Sequence, residues 1–204
     1  MQAKVWRCRI CSEPYIGYSP PENCPFCGAH REFIIPGERW NCLKEGDRCR
    51  LQSNVDDIQL SQKSRENLKK TLEIEISNAT FYLCVSKVSK SPFIQGMFKA
   101  LSKVETEHAH IAARLLKAPK PVIKTEGGAA AFKPESELNP NICSDLDKES
   151  VKNSMEMETR AVNFYTQFLK ESKEPRLKEI FSELIKIESD HLALDKEALK
   201  MLGG

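Results

Sequence analysis

Residues 105–108 read Glu-Thr-Glu-His and residues 188–191 read Glu-Ser-Asp-His, two E-x-x-H runs 83 residues apart. The same offset relates Glu75 to Glu158 and Tyr82 to Tyr165, and it holds across 72–116 and 155–199. Phe81/Phe164, Pro92/Pro175, Phe98/Phe181 and Leu101/Leu184 complete the correspondence, so the chain carries a duplicated unit. Each copy reads as two helices. Leu68, Leu72, Ile76, Ala79 and Leu83 recur at spacings of three and four, which predicts an amphipathic helix from Ser61 to Lys90. Ser91-Pro92 ends it. Ile94, Met97, Leu101, Val104, His108, Ile111 and Leu115 predict a second helix over 93–117, and the pair repeats over 148–171 and 176–202. The stretch from Ala118 to about Asp147, with four prolines, is too long for an ordinary connection. It suits a crossover that joins two helical hairpins along their full length.

Residues three apart on a helix lie about 60° apart and about 4.5 Å along the axis, so Glu105 and His108 can address one centre, as can Glu188 and His191. The midpoint between Glu75 and Glu105 is residue 90, and that between Glu158 and Glu188 is residue 173, the two hairpin turns. The paired glutamates are therefore level on antiparallel neighbours. Tyr82 and Tyr165 follow their glutamates by seven residues and face the same interior. Docking the hairpins gathers four carboxylates and two imidazoles in a bundle core, where each unpaired carboxylate would cost several kcal/mol. Two divalent cations would offset four negative charges. Oxygen-rich ligation with one histidine per ion suits iron or manganese, and the arrangement matches di-iron carboxylate bundles. Glu73 and Glu156 sit about 200° from the ligand direction and read as surface carboxylates. Glu107 and Asp190, just before the histidines, read as exposed or as partners that support the ligands, and His30 and His110 read as structural or exposed.

The N-terminal stretch carries a second metal pattern: Cys8-Arg-Ile-Cys11, twelve residues, then Cys24-Pro-Phe-Cys27-Gly28. Two facing C-x-x-C turns complete a tetrahedron of sulfur for iron or zinc. Trp6, Tyr15, Tyr18, Phe26 and Phe33 are available to wall a small knuckle whose folding the metal would drive. Cys42, Cys49, Cys84 and Cys143 make no second set and read as reduced thiols. The expected domains are a metal knuckle over 1–40, a polar linker over 41–60 and a four-helix bundle over 61–204. The linker would permit the knuckle to dock on a partner subunit.

Composition excludes several classes. A net charge of +2, from 31 basic and 29 acidic residues, offers no basic face for nucleic acid. No apolar run reaches the roughly 18 residues of a membrane span, and no signal-peptide core follows Met1, so the expected compartment is the cytoplasm. Gly127-Gly128 lacks the rest of a dinucleotide fingerprint, so any NAD(P)H must be oxidised by a separate reductase.

The six bundle residues and the cysteine knuckle together resemble rubrerythrins, ferritin-like di-iron proteins carrying a rubredoxin domain. The resemblance covers nearly the whole chain, with the rubredoxin-like part first where family members usually carry it last. It implies a mainly α, ferritin-like bundle plus a rubredoxin-like knuckle. It also implies Glu75, Glu105, Glu158 and Glu188 as carboxylate ligands with Glu105 and Glu188 bridging, His108 and His191 as terminal ligands, and Cys8, Cys11, Cys24 and Cys27 on one iron or zinc. The implied activity is reduction of hydrogen peroxide to water in oxidative-stress defence, with electrons relayed through the four-cysteine iron. Tyr82 and Tyr165 would hydrogen-bond ligands or peroxide products, and a homodimer or larger homo-oligomer is expected. Two alternatives share the sequence: a ferroxidase or oxygen-reducing di-iron protein, and a metal-binding adaptor with a zinc knuckle. Two departures stand out. Ala161 occupies the position of an additional family carboxylate, with Asn78 equivalent to it in the first half, and Ser12 stands where rubredoxins commonly have glycine.

Overall fold

The computed structural model describes residues 3–40, 58–123 and 146–203. Four long helices form the bundle: α2 (Gln62–Val88), α3 (Pro92–Leu115), α4 (Asp147–Glu171) and α5 (Pro175–Met201). Their ends fall within two residues of the predicted ones. Pro92 and Pro175 open the following helices, since proline at the first helical position loses no intrahelical hydrogen bond. Ser61 and Ser91 cap α2 and α3, accepting from the amides of Ser64 at 3.2 Å and Ile94 at 3.4 Å. α2 packs on α3 and α4 on α5, and the hairpins meet through α2 and α4. The duplication persists in the packing, since Tyr82 stacks on Phe98 at 5.4 Å between ring centres and Tyr165 stacks on Phe181 at 6.0 Å. None of the described helices is long and apolar enough to cross a membrane.

The proposed linker over 41–60 lies outside the described residues except for residues 58–60, which adopt neither helix nor strand. Most of the predicted crossover, with Gly127-Gly128, also lies outside them, as do Cys42, Cys49 and Cys143. Cys84 corrects the reading of the spare cysteines as thiols, because it is disulfide-bonded. Ligand spacing identifies metal-binding cysteines but leaves the state of the others open.

The N-terminal unit is a three-stranded antiparallel sheet in the order β2-β1-β3, with β1 at Lys4–Cys8, β2 at Pro14–Gly17 and β3 at Ile34–Pro36, followed by a single helical turn, α1, at Gly37–Trp40. Its apolar wall differs from the one predicted. Trp6 and Phe33 pack against the core, but Tyr18 and Phe26 are exposed. The bundle covers the knuckle instead: Cys8, Ile10, Cys27, Ala29 and Ile34 share one continuous core with Leu177, Ile180 and Ile187 of α5 and Ile111 of α3. Polar ties reinforce it. Arg114 donates to the carbonyl of Cys11 at 3.2 Å, Arg176 to that of Arg9, and Lys186 pairs with Glu32 at 2.6 Å. The knuckle thus lies on its own chain's bundle.

One cross-hairpin tie leads to a prediction. The Glu174 carboxylate, at the start of α5, accepts from the Ser61 amide at 2.7 Å and the Ser64 hydroxyl at 2.6 Å, at the start of α2. Partial burial alone would raise its pKa, but these donors hold it at about 2. Because the folded value is depressed, the stabilisation is complete above about pH 4.5 and is lost as pH falls toward 2. Glu174→Gln should cost about 1 kcal/mol at pH 7, after allowance for solvent screening, and nothing at pH 2, as measured by urea unfolding at the two pH values.

Candidate metal centre

The bundle brings all six predicted residues together. Ligand atoms of Glu75, Glu105, His108 and Glu188 lie within 4.8 Å of one another, and so do those of Glu105, Glu158, Glu188 and His191. Glu105 and Glu188 are common to both groups, so the cluster has two positions sharing two carboxylates. The histidines present the same nitrogen inward. His108 Nδ1 lies 3.2 Å from Glu105, 3.4 Å from Glu188 and 3.6 Å from Glu75. His191 Nδ1 lies 3.0 Å from both Glu105 and Glu188 and 3.6 Å from Glu158. The two rings are nearly parallel, 6.4 Å apart.

All four carboxylates are completely buried. One oxygen of each meets a phenol or an imidazole nitrogen. Glu75 accepts from Tyr165 and Glu158 from Tyr82, so each tyrosine crosses to the glutamate of the opposite hairpin. The remaining oxygens, Glu75 Oε2, Glu105 Oε1, Glu158 Oε2 and Glu188 Oε1, have no hydrogen bond among the described residues. Four carboxylate oxygens without a hydrogen bond and two inward nitrogens, gathered this closely, fit divalent cations and fit little else, because a buried carboxylate without a partner is strongly destabilising. The protein's own electrostatics show the same demand. Burial by itself would lower both imidazoles, but the surrounding carboxylates push His108 and His191 well above the ordinary range. Burial raises Glu75 and Glu158, and neighbouring carboxylates add to it. In Glu105 and Glu188 the two histidines overcome burial and hold the carboxyls low.

The knuckle's four cysteines form the third group, all buried, with Sγ contacts of 3.7 Å between Cys8 and Cys27 and 3.6 Å between Cys11 and Cys24. The two turns are built alike. Ser12 donates its amide to Cys8 O at 2.9 Å and Gly28 donates to Cys24 O at 3.0 Å, with φ of 70° and 74°. Ser12 therefore adopts the left-handed conformation that glycine would have taken there. Gly28 has less room, since a Cβ would stand 3.3 Å from Ile187 and 3.6 Å from Val104. Gly28→Ala should lower stability by about 1–2 kcal/mol through backbone strain. It should also loosen the knuckle from α5, detected as a lower thermal midpoint with retained helicity.

Gly28 follows the residue that joins the two metal groups. His108 Nε2 lies 2.9 Å from the carbonyl oxygen of Cys27 and can donate to it. That bond fixes the tautomer leaving Nδ1 free for a cation. Residues 66–202 match the rubrerythrin family, and residues 6–34 match the rubredoxin-like domain of rubrerythrin. The chain belongs to the rubrerythrin family. It is similar to reverse rubrerythrin-1 of Clostridium acetobutylicum, with 27% identity over 120 residues that cover 55% of this chain and 62% of that protein. The chain thus spans under two thirds of that relative's length. No solved structure matches at a significant level.

Other residues of this rubrerythrin fall where the pattern placed them or are explained by the docking. Glu156 is exposed, and half-buried Glu73 lies 3.5 Å from Lys70. Glu107 pairs with His110 at 3.4 Å. Ala161 is buried among apolar side chains, and Asn78 is buried with its Nδ2 unpartnered among the described residues. His30 clamps the knuckle to α5: its amide and Nδ1 meet the buried Glu183 at 2.7 and 2.6 Å, and its Nε2 meets Asp190 at 3.1 Å. Glu183 was not singled out by sequence. Neither were Ser154 and Asp195, both fully buried beside Tyr82. Position could have flagged Asp195, which lies one helical turn beyond His191 and hence on the same face.

Proposed function

We propose that this rubrerythrin is a non-haem di-iron oxidoreductase that reduces hydrogen peroxide to water, in defence against oxidative stress. Glu75, Glu105, His108 and Glu188 would hold one ion, and Glu105, Glu158, Glu188 and His191 the other. Cys8, Cys11, Cys24 and Cys27 would hold a single iron. The bound pair supplies Lewis acidity and two electrons, as the balance requires: peroxide, two protons and two electrons give two waters. The chain's own residues do the rest. Tyr82 and Tyr165 hold phenolic protons on Glu158 and Glu75, burial excludes bulk water, and His108 keeps its Nδ1 directed at the cluster. The carrying observation is the 2.9 Å contact from His108 Nε2 to Cys27 O, which gives electrons from the cysteine site a short covalent and hydrogen-bonded route inward. A separate NAD(P)H-dependent reductase or carrier would feed that site, in a cytoplasmic homodimer or larger oligomer.

A second reading, oxidation of ferrous iron or reduction of oxygen, is favoured by Ala161, which leaves the two halves of the cluster alike. Stopped-flow mixing of the reduced protein with peroxide and with oxygen separates the two. The peroxide reading predicts faster oxidation by peroxide, and faster oxidation by oxygen contradicts it. The orphaned carboxylate oxygens argue against an adaptor with a vestigial bundle. A colourless preparation with zinc in the cysteine site would favour that third reading.

A further inference from the structure

The two tyrosines are equivalent by duplication but not by surroundings. Tyr165 ends among Phe168 and Phe181. Tyr82 instead continues outward: its Oη lies 3.1 Å from Ser154 Oγ on α4, which lies 2.6 Å from Asp195 Oδ2 on α5. The 83-residue offset maps Ser154 to Thr71 and Asp195 to Ala112, and Thr71 spends its hydroxyl on the carbonyl of Asn67 at 3.0 Å. The polar branch thus exists in one half only.

Counting protons gives the branch a direction. The Tyr82 phenol has one proton, donated to Glu158. Its oxygen is then free to accept, and Ser154 has one proton to give. If Ser154 donates to Tyr82, the 2.6 Å contact with Asp195 is a hydrogen bond only when Asp195 carries the proton and donates. With Glu158 ionised as a metal ligand, one arrangement satisfies all three contacts: Asp195 to Ser154, Ser154 to Tyr82, Tyr82 to Glu158. We propose that Asp195, Ser154 and Tyr82 form a one-directional proton relay that delivers protons to the Glu158 side of the metal pair. Each transfer shifts one proton along each link, so the proton leaving Tyr82 is replaced from Ser154 and that of Ser154 from Asp195. Asp195 is completely buried and its Oδ1 has no hydrogen-bond partner among the described residues, so the branch holds one deliverable proton, which Asp195 must regain from solvent between turnovers. Burial raises the Asp195 carboxyl to about 7, which keeps it protonated on the acid side of neutrality. The titratable groups around it are Tyr82 from α2, Glu105 from α3, Glu158 beyond Tyr82 on α4, and His191 on its own helix. Asp195 acts through its neighbours and is a positioning residue for the proton.

The relay rests on the proposed reaction only for its rate. Asp195→Asn should slow oxidation of the reduced, iron-loaded protein by about 10- to 100-fold at pH 6, below the full range for a lost general acid because Tyr82 remains. It should also abolish the decline in rate as pH rises through about 7. Ser154→Ala should slow oxidation equally, and the double variant should be no slower than either, because one path is cut once. A second readout needs no turnover. With zinc in the bundle site the ligand glutamates are ionised, and the infrared spectrum at pH 6 should contain a carboxylic acid band. That band should be absent in Asp195→Asn, retained in Ser154→Ala, and lost by pH 8.5. Wild-type rates in both single variants, or no such band in the unaltered protein, would overturn the relay. If peroxide fails to oxidise the protein while oxygen does, the peroxide reading falls, and the band and the oxygen-driven rates still decide the relay.

Discussion

Glu105→Ala should empty both metal positions of the bundle, whereas Glu75→Ala should empty one. Glu105 belongs to both ligand groups, with one oxygen 3.2 Å from His108 Nδ1 and the other 3.0 Å from His191 Nδ1. Removing it takes a ligand from each ion and leaves Glu188 as the sole shared carboxylate. In the metal-free protein it also takes away the carboxylate that both buried histidines meet, so the variant should be less stable by about 3 kcal/mol while keeping its helices. Glu75 belongs to one group only. Metal analysis of the two variants at equal free iron should give bundle contents near zero and near one per chain, against two in the unaltered protein. Equal losses in both variants would mean that the carboxylates are not shared as the distances indicate.

Cys24→Ser should do more damage to the fold and a different kind of damage to the reaction. A structural four-cysteine site contributes on the order of 10 kcal/mol to the folding of a small unit that cannot close a core alone. The knuckle relies on the bundle for part of its wall, so its loss uncovers Ile180 and Ile187 and removes the carbonyl that His108 meets. The bundle's own helices carry separate cores around Phe81, Tyr82 and Phe98 and should stay folded. Turnover with an external electron donor should fall by more than about 100-fold, while a single oxidation of a chemically reduced bundle should survive within about tenfold. Loss of both activities together would show that the knuckle supports the bundle rather than feeding it.

The parts legible in the sequence are those that repeat. The 83-residue offset places Glu75, Glu105, His108 and their copies at one level, and the hairpin midpoints make them neighbours, because both relations depend only on helix geometry. Cysteine spacing is equally local. What escaped is unrepeated or crosses between elements. Ser154 and Asp195 have Thr71 and Ala112 as counterparts, so a symmetric reading passes over them. The crossing of each tyrosine to the opposite glutamate depends on how the hairpins dock, which periodicity does not encode. The seat of the knuckle depends on single contacts such as His30 with Glu183 and Arg114 with Cys11. Aromatic content suggested a self-contained knuckle, but Tyr18 and Phe26 face outward because α3 and α5 supply the apolar cover.

The central claim is that the cysteine site and the bundle cluster of this rubrerythrin are one electron path joined at Cys27 and His108. Single-turnover stopped-flow on the fully reduced, iron-loaded protein tests it, with the colour of the four-cysteine iron followed after one equivalent of peroxide, which would take two electrons from the pair and leave the pair to draw the third from that iron. The path predicts that this iron is oxidised at a rate independent of protein concentration, and that His108→Ala slows it more than it slows oxidation of the pair. A four-cysteine iron that stays reduced, or one oxidised at a rate proportional to protein concentration, would contradict it.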